Sequence, residues 1–206
     1  MMIFKNYWPL ILFNLIYVTA FAVYYLSVSN YEFLWYVGVL VFFLALILAT
    51  LAKTKFDRTI LWGLSIWGLL HMAGGGVQVG AGVLYQWPII HLAGEGDSLI
   101  LKFDQFVHFF GFGVATLLFY HLLKAYLNPN VGSINWKVMY PLIVVGGMGL
   151  GALNEIIEFA AVVALSQTGV GGYYNTSLDL VFNTLGAIAA AIWIHCTRVP
   201  KSIVQD

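Results

Sequence analysis

Long apolar runs separated by short polar intervals make up most of the chain. Six of these runs are long enough to cross the hydrocarbon core of a bilayer, which requires about 20 largely apolar residues in a helix. The pattern therefore predicts an all-α polytopic membrane protein, with six transmembrane helices in one bundle and residues 1–206 forming a single integral-membrane domain. The predicted helices cover approximately residues 7–28, 32–52, 59–82, 104–126, 138–164 and 177–197.

Composition agrees with this interpretation and excludes one class of partner. The chain is 61% hydrophobic and only 9% charged, far from the composition of a soluble domain. The charges of nine basic and nine acidic residues sum to a formal net charge of zero. The sequence has no cluster of lysine or arginine that could bind a nucleic acid backbone. The lipid bilayer is thus the expected partner, and nucleic acid is not.

The basic residues predict the orientation of the helices. With six spans, all of them except Lys102 fall on one face of the membrane, and basic loops favour the cytoplasmic side. We therefore expect a multi-pass protein of the inner (cytoplasmic) membrane with both termini in the cytoplasm. The basic residues on that face are Lys5, Lys53, Lys55, Arg58, Lys124, Lys137, Arg198 and Lys201.

Polar side chains recur at one depth on the last three predicted helices. Within each helix the acids, His108 and Asn183 follow a spacing of three or four residues, so they share a face, and small residues continue each stripe. His71 and Gln78, two turns apart on the third predicted helix, are expected to complete the site as ligand-binding residues. The polar residues on the last three helices are Asp104, His108, Asn154, Glu155, Glu158, Asp179 and Asn183.

Four of these residues are carboxylic acids, and Lys102, expected at the rim, is the nearest lysine or arginine. Acids gathered in a membrane must either share protons or bind a cation. Glu155 and Glu158 could offer two carboxylates to one ion together with Asp179 and His108, and the missing histidine of di-metal motifs favours a single magnesium, manganese or calcium ion. Asp104 would orient His108 as a general base or metal ligand.

The remaining segments are expected to support this site. We expect the first two helices to face lipid without contributing to it, and Glu32 to lie in an outside loop. The apolar segment 83–103 is expected to lie at the interface as a lid, and the glycine-rich segment 166–176 to gate access. Asn175 is expected to be either part of a descending polar ladder on the sixth helix or only its cap.

These motifs resemble those of the VanZ-like membrane proteins over about residues 100–190. The resemblance implies a helical membrane domain with a shared polar site, in a family associated with glycopeptide (teicoplanin) resistance. Gln105 stands where VanZ-like proteins commonly have lysine, Glu158 where they have glutamine, and the following loop has no arginine. The chain is therefore more similar to an uncharacterised branch of bacterial inner-membrane proteins. The residues that carry the resemblance are Asp104, His108, Asn154, Glu155, Glu158, Asp179, Asn183 and Gly186.

Three functions fit these observations. The first is an outward-facing pocket in which Asp104, His108, Glu155, Glu158 and Asp179 bind a cation or small polar ligand and serve hydrolysis or transfer of a lipid-linked envelope group. The second is a proton- or cation-coupled transporter. The sequence has no internal repeat and no polar residues in the cytoplasmic half of the predicted helices, and both observations argue against transport. The third is a non-catalytic scaffold.

Overall fold

The computed structural model describes residues 7–126 and 135–197, which form six long helices and a short hairpin. Five of the helices are long and apolar enough to cross a membrane, and α3 is the exception. The predicted all-α class is confirmed. The helices are α1 (Trp8–Ser27), α2 (Tyr31–Thr54), α3 (Arg58–Gly76), α4 (Phe103–Tyr126), α5 (Trp136–Ala164) and α6 (Tyr173–Thr197), and the hairpin strands are β1 (Gln78–Val79) and β2 (Gly82–Val83).

Side-chain caps explain where several helices begin. The Asn30 side chain accepts a hydrogen bond from Phe33 N at 3.0 Å at the start of α2, and Asp57 accepts one from Ile60 N at 3.0 Å at the start of α3. Such caps satisfy backbone N–H groups that have no partner within the helix. Lys55, in the left-handed conformation at φ +49°, ends α2.

The predicted length of the third helix is wrong, because α3 ends at Gly76 and not near residue 82. Three consecutive glycines, Gly74 to Gly76, weaken the helix at this point. The chain then turns through Gly80, at φ +61°, and pairs Gln78 with Val83 in the hairpin. Gln78 is therefore an exposed strand residue and not part of a helical stripe.

Helix α4 lies at the centre of the bundle, where it packs most extensively against α6 and also contacts α3 and α5. Small residues allow the α4–α6 approach. A Cβ on Gly186 would lie 2.1 Å from the Phe109 carbonyl oxygen, so only glycine permits this backbone separation. Polar side chains on α4 and α6 are thereby brought face to face.

One end of the bundle carries the exposed basic residues. His121 Nε2 lies 2.8 Å from the Thr54 carbonyl oxygen, and this contact joins the ends of α4 and α2. Tyr120 packs with Ile143 and Ile194 between α4, α5 and α6. Lys5, Arg198 and Lys201 lie outside the described residues. We call this end the basic end and the opposite one the site end; the exposed basic residues are Lys53, Lys55, Arg58, Lys124 and Lys137.

Helices α1 and α2 do more than face lipid. Asn14 of α1 donates to Ser65 Oγ of α3 at 2.7 Å, and Tyr17 donates to Asn14 Oδ1 at 2.9 Å. Glu32, expected in a loop, is buried in the first turn of α2 and accepts a hydrogen bond from Gly169 N at 2.5 Å. The expectation of purely lipid-facing support is therefore wrong, because α2 holds the α5–α6 connection through a buried carboxylate.

The segment between α3 and α4 is ordered by backbone pairing. Ile89 N donates to Leu101 O at 3.0 Å, and Phe103 N donates to Trp87 O at 2.9 Å, so the chain folds back directly before α4. Trp87 and Leu92 are exposed. Residues 87–103 thus fold back on themselves directly before α4, with the apolar side chains of Trp87 and Leu92 exposed. We call this segment the cover.

Candidate functional site

Helix α4 contributes two polar residues one turn apart. Asp104 lies in its first turn and His108 follows four residues later, so both side chains point the same way. His108 Nε2 is 3.6 Å from Asp104 Oδ1. The His108 ring is buried and stacks on Phe112, with ring centroids 5.9 Å apart.

Helix α6 places an acid and an amide against the same imidazole. Asn183 Oδ1 is 3.0 Å from His108 Nδ1, and Asp179 Oδ1 is 3.9 Å from His108 Nε2. Asp179 is only 1% exposed. The two ring nitrogens therefore face different partners: Nδ1 lies at hydrogen-bond distance from the Asn183 amide, and Nε2 faces the carboxylates of Asp104 and Asp179.

Helix α5 supplies the other two acids. Glu155 Oε1 is 3.7 Å from His108 Nδ1, and Glu158 Oε1 accepts a hydrogen bond from Asn154 Nδ2 at 2.7 Å. Gly151 makes the α5–α6 approach possible, since a Cβ there would lie 2.8 Å from Asn183 Nδ2. His108 is consequently surrounded by carboxylates from three helices.

The contact with Asn183 determines the chemistry of the imidazole. An amide oxygen accepts hydrogen bonds, so the 3.0 Å contact assigns the proton to Nδ1. In a neutral ring, Nε2 then presents its lone pair to Asp104 and Asp179, at 3.6 and 3.9 Å. Three electron-rich atoms facing one another repel unless a positive charge lies between them.

Some buried atoms of the site have no hydrogen-bond partner among the described residues. They include Asp179 Oδ1 and Asn183 Nδ2, both on side chains that are almost fully enclosed, and Glu155 Oε1. A buried polar atom left unpaired costs about 1–3 kcal/mol, so native proteins seldom leave several in one place. The Asp179 oxygen is the most informative of them because it faces the His108 lone pair.

Two sets of residues have the spacing of metal ligands. One is Asp104, His108 and Asp179, and the other is His108, Glu155 and Glu158; in each set the ligand atoms lie within 4.8 Å of one another. Two ligands bound at about 2.1 Å to a common ion can be at most about 4.2 Å apart. The 3.6 and 3.9 Å separations at Nε2 satisfy this limit, although they are too long for hydrogen bonds.

Asn175 links the acids to a base. Its Oδ1 accepts a hydrogen bond from Lys102 Nζ at 2.6 Å, while its Nδ2 donates to Asp179 Oδ2 at 2.6 Å and to Asp104 Oδ2 at 3.3 Å. Asn175 is therefore an integral part of the site, because α6 begins at Tyr173, four residues earlier than predicted. Periodicity extended one turn upstream of Asp179 is the signal that identifies it.

The expectation for Lys102 is also wrong. Its side chain is not at a solvated rim but is 6% exposed and is directed towards the acids through Asn175. A resident positive charge is thus present near the site. Because the site has four carboxylates and Lys102 is one ammonium, Lys102 reduces the excess of negative charge without removing it.

His71 and Gln78, the two residues expected from the third helix, do not join the cluster. His71 Nδ1 is 2.5 Å from the Tyr85 hydroxyl, and its ring packs against Tyr36, with centroids 5.3 Å apart. Burial, together with the charge of nearby Asp104, raises the pKa of Tyr85 well above its ordinary value, so the phenol stays protonated and donates to His71. Gln78 is exposed on β1, beyond the early end of α3.

The structure thus brings together seven of the nine predicted site residues; it adds Lys102, and it agrees with the polar-ladder alternative for Asn175. The seven come from α4, α5 and α6, whose helical stripes face one another at the site end. They are Asp104, His108, Asn154, Glu155, Glu158, Asp179 and Asn183.

The chain belongs to the predicted membrane protein family DUF2238, whose family model matches residues 9–199. The match includes all six helices from Pro9 onward and every residue of the site. No curated protein and no solved structure matched the chain. Family membership agrees with the apolar helices in describing a membrane-embedded protein.

Proposed function

We propose that this protein binds a divalent metal ion within the membrane, at the site end of the bundle, with His108 Nε2, Asp104 and Asp179 as ligands. The observation that carries the proposal is the buried, unpaired Asp179 Oδ1, which faces His108 Nε2 at 3.9 Å. A cation between them would satisfy both atoms. It would also leave Nδ1 donating to Asn183, the orientation by which metal-bound histidines are usually held.

The balance of charge favours an ion over protons alone. Asp104, Glu155, Glu158 and Asp179 face one ammonium, that of Lys102. An imidazolium at His108 would add one further positive charge, but its Nε2–H would meet Asp104 only at 3.6 Å, beyond a good hydrogen bond. A divalent ion supplies more charge and fits the longer separations.

The ligand atoms favour particular metals. An imidazole nitrogen combined with carboxylate oxygens suits zinc, manganese or iron, whereas magnesium and calcium are bound mainly by oxygen. Of the three ions expected from the sequence, manganese thus fits His108, Asp104 and Asp179 better than magnesium or calcium does. Zinc is a further candidate.

We extend the proposal to metal-dependent hydrolysis or transfer of a polar or lipid-linked envelope substrate. A bound ion can activate water and polarise a substrate oxygen. Glu155 lies on the other, Nδ1 side of His108, so it is outside the proposed ligand set and its unpaired Oε1 is directed away from the ion. Asp104, 15% exposed, marks the side from which a substrate headgroup would reach the ion.

Transport across the bilayer has less support. Between the site and the basic end, α4, α5 and α6 pack through the buried hydrophobic cluster of Tyr120, Ile143 and Ile194. Thr116, buried on α4, donates its hydroxyl proton to the Phe112 carbonyl oxygen of its own helix. The described residues therefore favour a site open to one side.

We propose that this side is the exterior of the inner (cytoplasmic) membrane, with both termini in the cytoplasm and the chain forming one membrane domain. Five exposed basic residues at the basic end support this orientation. We also propose a distant relation to VanZ-like proteins, supported by the order of Asp104, Glu155 and Asp179 on consecutive helices. Labelling of single cysteines at Lys137 and Glu95 with an impermeant reagent in intact cells tests the orientation; only the Glu95 position should react.

Metal analysis of the purified full-length protein tests the proposed function. We expect about one zinc, manganese or iron ion per chain in the wild type and loss of most of it in Asp179→Asn, which keeps the size of the side chain but removes its charge. Glu32→Gln is the matched control, because it neutralises a buried acid that lies outside the ligand set. A folded wild type that binds none of these ions, or an Asp179→Asn variant that keeps its ion, would overturn the proposal.

A further inference from the structure

The Lys102 ammonium has unused hydrogen-bonding capacity in a buried place. It is 6% exposed and makes one hydrogen bond, to Asn175 Oδ1 at 2.6 Å. Among the described residues no carboxylate lies within 4.0 Å of its nitrogen. An ammonium group has three donors, so two remain without an acceptor in this part of the chain. Burying an ammonium without full partners is costly, which indicates a place for an anion.

The backbone around Lys102 is fixed by a dedicated side chain. Gln105, fully buried, accepts hydrogen bonds from Leu101 N at 2.5 Å and Lys102 N at 3.1 Å and donates to Leu99 O at 2.9 Å. Leu101 is held in the left-handed region at φ +73°, which a leucine rarely adopts. Together these features fix the backbone at Lys102, whose buried side chain is directed towards Asn175.

The position of Lys102 defines where an anion could bind. The Asn175 amide accepts a hydrogen bond from Lys102 and donates hydrogen bonds to Asp104 and Asp179. It therefore bridges the ammonium and two of the proposed metal ligands. The acids themselves repel an anion. An anion is therefore stable only where it contacts both the metal ion and the ammonium.

Phosphate has the chemistry that this place requires. Its several oxygens can accept from two ammonium donors while another oxygen binds the metal, an arrangement common in phosphoryl-transfer sites. Trp87, Ile90 and Leu92 are exposed on the neighbouring cover, and an apolar surface containing tryptophan is typical of the headgroup layer of a bilayer. Phosphate esters of lipids are located in that layer.

We propose that Lys102, together with the metal ion, binds a phosphate group of the substrate, which makes the substrate class phosphate-bearing molecules of the membrane surface. This inference rests on the proposed function, because without the ion the acids would exclude an anion. Gln105 acts as a positioning residue that holds Lys102 towards the site.

Manganese-induced broadening of ³¹P NMR signals tests the inference, because it detects phosphorus close to bound Mn²⁺. Full-length protein in a neutral detergent would be loaded with Mn²⁺ and titrated with inorganic phosphate or with short-chain phosphatidic acid. We expect saturable broadening with at least one probe. Binding of both probes would point to phosphate from either source, and binding of phosphatidic acid alone would identify a lipid headgroup.

Lys102→Met tests the role of the ammonium. We expect it to retain Mn²⁺ but to bind the phosphate probe about tenfold or more weakly, as expected for loss of charged hydrogen bonds. Lys102→Arg should recover part of the affinity, and Lys124→Met, at an exposed lysine of the basic end, should match the wild type.

The failures of the two proposals are distinguishable. A wild type that holds Mn²⁺ but shows no saturable broadening with either probe overturns the inference and leaves the metal site intact, and this result does not depend on any variant folding. Equal phosphate affinity in the wild type and a folded Lys102→Met variant overturns it as well. A wild type that holds no metal overturns the proposed function, and the inference with it.

Discussion

His108 Nδ1 lies 3.0 Å from Asn183 Oδ1, and this contact between α4 and α6 leaves Nε2 facing Asp104 and Asp179. The amide oxygen fixes the tautomer, and the tautomer places a lone pair opposite two carboxylates. Much of the proposed chemistry follows from this one hydrogen bond. Loss of the bond should therefore affect the site more than loss of any neutral side chain beside it.

Asn183→Ala tests the importance of this contact. The variant removes the acceptor of Nδ1–H without touching a proposed ligand, so the imidazole should lose its orientation. Outer-shell changes of this kind typically weaken metal binding about 10- to 100-fold. Competition with a chelator measures the affinity. Thr184→Ala is the control, since the Thr184 hydroxyl donates only to Leu180 O of its own helix; unchanged affinity in Asn183→Ala would contradict the assignment.

Gly151→Ala tests the close approach of α5 and α6. An added Cβ would lie 2.8 Å from Asn183 Nδ2, so the amide must shift and the helices must separate. We expect a loss of about 1–3 kcal/mol in the free energy of unfolding, typical of overpacking, and weaker metal binding. Gly149→Ala is the matched control on the same helix, because a Cβ there meets open space. Equal stability and metal affinity in the two variants would refute the predicted packing.

Glu32→Gln tests the link between α2 and the α5–α6 connection. The Glu32 carboxylate accepts from Gly169 N at 2.5 Å, and an amide is a weaker acceptor for this bond. We expect faster hydrogen exchange in residues 165–172, with metal content unchanged. Exchange at the wild-type rate would show that another contact holds this connection.

His71→Leu distinguishes the role of His71 from that of His108, the other histidine at the site end. His71 bonds to Tyr85 and lies against Tyr36, outside the ligand sets. The variant leaves the Tyr85 hydroxyl unpaired, so it should lose about 1–3 kcal/mol of stability while keeping its metal. His108→Leu should instead lose the metal. Metal loss in a folded His71→Leu variant would contradict the separation of the two residues.

The stripes of α4 and α6 could be predicted from the sequence because each lies within an uninterrupted apolar helix. There, a spacing of four residues places Asp104 with His108 and Asp179 with Asn183 on one face. Burial inside the bundle follows from the high cost of ionisable groups facing lipid.

The residues that prediction missed lie where helices begin or end. Lys102, expected at the rim, precedes α4, and Asn175, for which the sequence leaves a polar ladder and a helix cap open, lies in the first turn of α6. Whether such residues face the site depends on how the flanking segments fold, which hydropathy does not reveal. The prediction for Gln78 is wrong because α3 ends at three glycines, Gly74 to Gly76, so the helical stripe does not extend to Gln78.

X-ray absorption spectroscopy of the metal-loaded, full-length protein tests the central claim most directly, since it reports the ligand atoms around the ion. The account predicts one imidazole nitrogen and carboxylate oxygens at about 2.0–2.2 Å in the wild type, with the imidazole signal lost in His108→Leu. A spectrum containing only water oxygens, or an imidazole signal that persists in a folded His108→Leu variant, would contradict it.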